Sequence, residues 1–269
     1  VVVLVGGGDP TLSTAEVGQD TWYREAARIS DLADQVRRSG VSVTEIQVDT
    51  SAFTGPTMAQ GWDAEDIEGG DIAPIEAVMV DGGRVQPTTV ESRRSTTPAL
   101  DAGKALAAEL GVDPDNVSIA SASVTGRELG VVRSAPLVVR LGEMMNASDN
   151  VMAESIAREV AAAMGRPRSF AGAVDAVTNR LATAHIAVSG ANLQDSSGLS
   201  VDDRLSARTL DAVVQAAAGP DLPELRPLLD MLPVAGGSGT LSERFLNPKT
   251  GRGAAGWLRA KTGSLTRTN

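Results

Sequence analysis

The sequence predicts a mixed α/β fold of the α+β kind, in two parts that meet near Arg133. Strand-like segments alternate with helical segments up to that residue, whereas a series of helices ending in a strand-like segment follows it. Of the 269 residues, 42% are hydrophobic but only 3% are aromatic, so Ala, Val, Leu and Ile must form the core. We call residues 1–132 the first half and residues 133–269 the second half.

The first half is predicted from the spacing of its apolar residues. Apolar runs and apolar–polar alternation predict strands at 1–5, 41–48, 75–80, 117–124 and 131–133. Apolar stripes at helical spacing predict helices at 21–38 and 98–110, although Gly103 lies on the inward face of the second and weakens it. Segment 49–74, rich in Gly, Pro and Asp, is predicted as a surface loop, and Asp81-Gly82-Gly83 as a turn.

The second half is predicted to be mainly helical. Its helices are expected at 137–146, 150–164, 170–184, 206–218 and 222–232, and its strands at 186–188 and 257–262. Near Arg133 the predicted pattern changes from alternating strands and helices to mainly helices. This change indicates a domain boundary, so we expect domains at 1–132 and 133–269.

Composition excludes several classes of function. A net charge of −10 disfavours binding to phosphate backbones and anionic lipid, so nucleic acid is not an expected partner. The absence of cysteine excludes thiolate metal sites and a cysteine nucleophile, and the single histidine, His185, excludes polyhistidine metal sites. No apolar stretch is long enough to span a bilayer.

Two polar triplets are the candidates for chemistry. Ser148-Asp149-Asn150 lies between two predicted helices, where each of its residue types is also an ordinary helix N-cap. Lys261-Thr262-Gly263 ends a predicted strand, where a glycine turn is equally ordinary. In this order, however, the triplets match the S-D-N and K-T-G motifs that accompany S-x-x-K in penicillin-binding proteins and class A β-lactamases.

On these triplets the chain resembles the class C, low-molecular-mass penicillin-binding proteins, which act as D-Ala-D-Ala carboxypeptidases and endopeptidases, and its details resemble actinobacterial members. Further matching segments lie at 4–12, 134–137, 146–154, 195–200 and 232–241. The resemblance implies the penicillin-binding protein/serine β-lactamase-like transpeptidase fold, an antiparallel sheet flanked by helices on both faces. It also implies that the first half is mainly a smaller inserted α/β domain and the second half part of the catalytic domain.

The resemblance implies a role for each site residue. Ser148 passes a proton toward the leaving amine, Asn150 holds the amide of the acyl side, and Lys261 supplies positive charge. The substrate-binding residues it implies, which contact the terminal carboxylate, the substrate backbone and the oxyanion, are Thr262, Gly263 and Ser264. It implies no metal and no organic cofactor. The partners it implies are a peptidoglycan stem peptide ending in D-Ala-D-Ala and β-lactam antibiotics, which places the protein outside the cytoplasmic membrane.

The sequence departs from the family in one important respect, because it contains no S-x-x-K. We expect the segment with the nucleophile to precede Val1 and the last strands of the sheet to follow Asn269, so that both ends are cut. Two other hypotheses stay open: a β-lactamase or esterase of the same fold, and a non-catalytic protein that binds muropeptides. The sequence does not fix the oligomeric state.

Overall fold

Two small parallel sheets organise the first half. The computed structural model describes residues 1–90, 92–247, 249 and 251–265. One sheet has the order β1-β3-β5, formed by Val2–Val5, Ile46–Asp49 and Val117–Ile119. The other pairs β2 (Asp9–Leu12) with β4 (Val78–Val80). All the pairings in these two sheets are parallel.

The helices of the first half are α1 (Ile29–Arg38), α2 (Glu65–Gly69) and α3 (Pro98–Leu110). Apolar residues of α1 and α3 pack with those of the strands into one core, which includes Leu4, Ile29, Ala33, Ile46, Val48, Ala102 and Leu106. Gly103, which weakened the prediction of α3, is buried where that helix lies against the sheet, beside Val48 and Val117. The predicted helix at 98–110 is confirmed.

The second half is helical, as predicted. Its elements are α4 (Leu137–Ala147), α5 (Asn150–Ala163), α6 (Phe170–Thr183), α7 (Ala207–Ala218) and α8 (Pro227–Met231). Side-chain oxygens cap the first turns of three of these helices, those of Asp149 on α5, Ser169 on α6 and Ser206 on α7. In the part of the chain that the structure describes, no helix has the length and apolar character needed to cross a membrane.

Helix α5 joins the two halves. Its Val151 packs with Phe170, Leu199 and a set of apolar side chains from the first half, Ala59, Ile67, Ile72, Ala73, Ile75 and Met79. On another face, Met152 and Ile156 pack with Tyr23. The segment that starts with Asn150 is therefore fixed from both sides by apolar contacts.

The predicted helix at 21–38 is wrong in extent, because α1 begins only at Ile29. Polar side chains hold the preceding residues in a loop. The Arg28 guanidinium donates to the carbonyls of Ala15, Glu16 and Gln19, and Glu25 has a positive φ of 55°. Within the segment itself, the N–H of Arg24 donates to Glu143 Oε1 over 2.8 Å, and the carbonyl of Ala27 accepts from the N–H of Ser13 over 2.7 Å. These backbone groups are therefore satisfied outside a helical ladder.

Several predicted strands are shorter or absent. The strands at 41–48, 75–80 and 117–124 shrink to β3, β4 and β5, and 131–133 and 186–188 form none. The side chain of Gln35 hydrogen-bonds both the N–H and the carbonyl of Val131, so that backbone is satisfied without a sheet. The helix predicted at 222–232 is split into a 3₁₀ turn, Pro223–Leu225, and α8, because Pro227 has no N–H to continue the first.

Antiparallel pairing occurs where the late strand was predicted, but only over a short stretch. Within 257–262 the structure has one antiparallel bridge, Val234 with Arg259, rather than a strand. The N–H groups of Ala235 and Ala260 donate to Leu258 and Pro233 across this pairing. In the described residues, the predicted antiparallel sheet is thus reduced to bridges, while both complete ladders are parallel.

Candidate active site

The connection between α4 and α5 presents Ser148. Ser148 follows α4 and adopts a left-handed conformation with φ 56° and ψ 45°. Asp149 caps α5 through a hydrogen bond of 3.0 Å from the N–H of Met152 to its Oδ1, and Asn150 is the first residue of that helix. The N-cap alternative is therefore correct for Asp149, while the side chain of Ser148 is left to face elsewhere.

The structure brings the two polar triplets together. Lys261 Nζ donates to Ser148 Oγ over 2.6 Å and to the carbonyl of Thr262 over 2.8 Å. The Thr262 hydroxyl donates in turn to Thr240 Oγ1 over 2.8 Å. One row of polar groups thus runs from the α4–α5 connection to the segment after residue 260.

The environment of Lys261 affects its charge. Partial burial of its ammonium lowers the pKa of Lys261 from its ordinary value of 10.5, because desolvation disfavours the charged form. When it is protonated, the ammonium can only donate, so Ser148 Oγ accepts the hydrogen bond. The proton of the Ser148 hydroxyl then remains available to another acceptor.

The other predicted site residues lie around this contact. Asn150 Nδ2 donates to the carbonyl of Asp71 over 3.0 Å, which ties it to the first half. Gly263 has open space where a side chain would stand, with no heavy atom within 4 Å. Ser264 is exposed beside it. An extended ligand could therefore approach the backbone of this segment without steric hindrance.

Asp149 is anchored in a buried polar cluster. Its Oδ2 accepts a hydrogen bond of 2.7 Å from the Tyr23 hydroxyl and lies 3.5 Å from the Arg84 guanidinium. Burial acts to raise the pKa of Asp149, but Arg94 and Arg84, together with the hydrogen bonds from Met152 and Tyr23, hold that pKa below its usual range. The carboxylate is therefore ionised at neutral pH.

A second buried cluster shapes the loop at 195–200. Glu154 of α5 is fully buried, and its Oε1 accepts from the N–H groups of Ser196 and Ser197 over 2.7 and 2.8 Å. Its other oxygen pairs with Arg158 at 3.1 Å. Burial and then the charge of Asp195 raise the pKa of Glu154, against the effect of Arg158. The loop is thereby fixed to the same helix that carries Asn150.

Asp195 closes this loop on itself and on the first half. Its two oxygens accept from the N–H groups of Gly198 and Ser200, each over 2.7 Å. The indole N–H of Trp62 also donates to Asp195, over 2.7 Å. Segment 49–74, predicted as a surface loop, thus contacts the second half through a partly buried hydrogen bond.

The residues that support the triplets were not predictable from the sequence. Tyr23, Arg84 and Asp71 lie far from them in the chain, and no local pattern indicated their contacts. Thr240 belongs to a segment that matched the family, but nothing in the sequence paired it with Thr262. Among the described residues, no group of three or more His, Asp or Glu side chains is placed to hold a metal ion.

Comparison with solved structures shows the fold. Penicillin-binding protein 4 from Haemophilus influenzae matches with a TM-score of 0.74 and 23% identity, over 98% of this chain and 70% of that one. The same protein complexed with a β-lactam matches with a TM-score of 0.68 and 19% identity, over 98% and 69%. The predicted penicillin-binding protein fold is confirmed.

Comparison with known sequences shows the family. The chain is 71% identical to a carboxypeptidase of Mycobacterium tuberculosis over 268 residues and 67% identical to the carboxypeptidase DacB of Mycolicibacterium smegmatis over 270 residues. It spans 58% and 59% of the lengths of these relatives, which are actinobacterial as the resemblance implied. The model of the D-Ala-D-Ala carboxypeptidase 3 (S13) family matches residues 1–94 and 88–269, and the chain belongs to that family.

Proposed function

We propose that the full-length protein is a serine-type D-Ala-D-Ala carboxypeptidase and endopeptidase, which trims peptidoglycan stem peptides through an acyl-enzyme. Family membership supports this activity. The observation that carries the proposal is the 2.6 Å hydrogen bond from Lys261 to Ser148, which unites the two triplets in one site. The chain contains no S-x-x-K. The proposal therefore requires a nucleophilic serine and its lysine from a part of the protein outside these 269 residues.

Ser148 and Lys261 form the proton-transfer pair in this proposal. The nucleophilic serine passes its proton to its lysine partner as its oxygen attacks the carbonyl carbon between the two terminal D-alanines, and the C–N bond then breaks. Ser148 gives its proton to the departing amine of D-Ala, while the Lys261 ammonium keeps Ser148 Oγ oriented and stabilises its developing negative charge. Water then hydrolyses the ester. A β-lactam acylates the same serine through opening of its ring, which gives a different ester that is hydrolysed slowly.

The segment 262–264 receives the C-terminal end of the substrate. The Thr262 hydroxyl binds the terminal carboxylate, next to the Lys261 charge. The open face of Gly263 lets the peptide lie along the backbone, and the N–H of Ser264 donates to the oxyanion. Asn150 contacts the amide on the acyl side.

The two halves are proposed to be separate domains. Residues 1–132 form mainly an inserted accessory domain, and residues 133–269 form part of the catalytic domain. Support comes from the apolar core built on β1, β3, α1 and α3, whose members all lie at or before Val132. Residues 248, 250 and 266–269 of the second domain lie outside the described residues. The substrate assigns the protein to the extracytoplasmic side of the membrane.

The test uses the full-length protein with benzylpenicillin and with a stem peptide ending in D-Ala-D-Ala. We expect release of free D-Ala and a long-lived covalent adduct in the intact mass. Ser148→Ala should slow acylation roughly 10²- to 10⁴-fold, because it removes the proton-transfer group. Ser118→Ala, at an exposed position of β5, is the matched control and should leave the rate unchanged.

The same measurements separate the two alternative hypotheses. An adduct that hydrolyses within the time of mixing would favour a β-lactamase. A protein that binds penicillin without any covalent adduct would favour a non-catalytic binding protein. Either result contradicts the proposed carboxypeptidase.

A further inference from the structure

The middle residue of the Ser148-Asp149-Asn150 triplet is held by side chains from the first half. The side chain of Asp149 is only 1% exposed. Its Oδ1 caps α5, and its Oδ2 is contacted by the Tyr23 hydroxyl at 2.7 Å and by Arg84 at 3.5 Å. Neither Tyr23 nor Arg84 belongs to a segment that matched the family motifs.

Arg84 is itself fixed in one position. Its guanidinium donates to the Tyr23 hydroxyl over 2.9 Å and to the carbonyl of Asp81 over 3.2 Å. It also stacks on the Trp22 ring, with its central carbon 4.1 Å from the ring centroid. A planar group held on a ring face and by two acceptors has little freedom to follow a displaced carboxylate.

The turn Asp81–Gly83 closes around this cluster. Gly82 has a φ of 64°, and a Cβ atom there would overlap the Tyr23 hydroxyl and the guanidinium of Arg84. Arg94 donates to the Gly82 carbonyl over 2.5 Å and fixes the turn from the other side. Tyr23, Arg84 and the turn Asp81–Gly83 of the first half therefore form a rigid, positively charged environment around the Asp149 carboxylate.

Ser148 needs such support, because a non-glycine residue in the left-handed region persists only when its surroundings fix it. We propose that Tyr23 and Arg84 are positioning residues, which hold Asp149 so that the Ser148 hydroxyl stays in contact with Lys261. This role rests on the proposed function and deepens it, since two residues of the first half then contribute to the alignment of the catalytic groups.

The test compares Tyr23→Phe, Arg84→Met and Arg84→Lys in the full-length protein. Acylation by a fluorescent penicillin should slow roughly tenfold to 10²-fold in the first two variants, because the reacting groups lose their alignment. The dissociation constant of the non-covalent complex should change less than about threefold, because the binding segment is untouched. Arg84→Lys, which keeps the charge, should be faster than Arg84→Met.

Thr11→Val is the control, because it removes a buried hydroxyl that bonds Asp9 at 2.6 Å, far in sequence from the triplet. Equal acylation rates in Thr11→Val, Tyr23→Phe and Arg84→Met would overturn the positioning role. Amide hydrogen exchange of residues 147–152 gives a readout without catalysis. Exchange should rise in Tyr23→Phe and in Arg84→Met but not in Thr11→Val, and unchanged exchange in the first two variants would also overturn the role. If the wild-type protein is never acylated, the proposed function is contradicted instead. Amide hydrogen exchange then still tests whether Tyr23 and Arg84 position Asp149.

Discussion

Lys261 donates a hydrogen bond of 2.6 Å to Ser148 although 113 positions separate the two residues in the chain. Each belongs to a triplet that has an ordinary structural explanation when taken alone. The contact cannot be an accident of local sequence, because the backbone between them includes α5, α6, α7 and α8. It is the geometric basis of the proposed activity, and it leads to a prediction about pH.

Lys261→Arg should move the alkaline limit of the reaction. Burial lowers the pKa of Lys261, so in the full-length protein the acylation rate should fall at a pH below 10.5 as the ammonium loses its proton. Arginine stays charged above pH 12, so Lys261→Arg should be slower but should keep its rate to higher pH. The pH profile of penicillin acylation measures this. Lys104→Arg, at an exposed position of α3, should retain the wild-type profile, and an identical limit in all three proteins would contradict the role of Lys261.

Glu154→Gln should be strongly destabilising. The substitution removes the charge that pairs with buried Arg158 and leaves an uncompensated guanidinium, which costs about 3–5 kcal/mol of unfolding free energy. Glu68→Gln breaks an exposed pair with Arg93 and should cost less than about 1 kcal/mol. Urea unfolding compares the two variants. Similar midpoints would mean that the Glu154 pair contributes no more than a surface pair.

Asp203 should make stability depend on pH. Burial, together with the neighbouring charge of Asp195, raises the pKa of Asp203 to about 7. The folded protein therefore holds a proton that the unfolded chain releases near pH 4, so this group lowers stability as pH rises from about 4 to about 7. Asp203→Asn should remove that slope and raise the melting temperature at pH 8. Asp211→Asn, on the exposed surface of α7, should retain the pH dependence of stability. If Asp211→Asn also abolished that dependence, a group other than Asp203 would be responsible for it.

Gly103→Ala should destabilise the protein although alanine favours helices. A Cβ atom at Gly103 would lie 2.5 Å from a methyl of Val48 and 2.7 Å from one of Val117. The overpacking costs about 1–3 kcal/mol, more than the roughly 1 kcal/mol that helix propensity returns. Gly142→Ala in α4, with no atom within 4 Å, should gain up to about 1 kcal/mol. Thermal or urea unfolding measures the stability of both variants. Equal changes in stability at the two positions would contradict the overpacking at Gly103.

Local signals explain why the helices of the second half could be predicted. Ser169 and Ser206 stand one residue before α6 and α7, and their side chains cap those helices. The local sequence pattern gave a wrong prediction where polar contacts with distant residues determine the backbone conformation. Segment 21–38 has a helical apolar stripe, yet in its first part the N–H of Arg24 donates to Glu143 and the carbonyl of Ala27 accepts from the N–H of Ser13, and neither is a helical partner. Intrinsic helix propensity is a property of single residues and does not include such long-range contacts.

The candidate site was predictable only as two motifs. Sequence identified Ser148 and Lys261 as separate candidates, and the resemblance joined them. The supports of the site come from distant positions: Tyr23 bonds Asp149 across 126 positions, and no periodicity or spacing connects such residues. The predicted strand at 257–262 shows the same limit, because its extent depends on pairing with residues 233–235 rather than on its own composition.

The long-range anchoring of the α4–α5 connection has a consequence for how the protein folds. Helices α4 and α5 can form from local contacts, but Ser148 between them contacts Lys261, and its neighbour Asp149 contacts Tyr23, and both partners are far from them in sequence. Closing loops of this length is slow compared with forming a helix. The chain should therefore acquire most of its helical content before this connection is ordered, and the contact between Ser148 and Lys261 should be among the last features to appear.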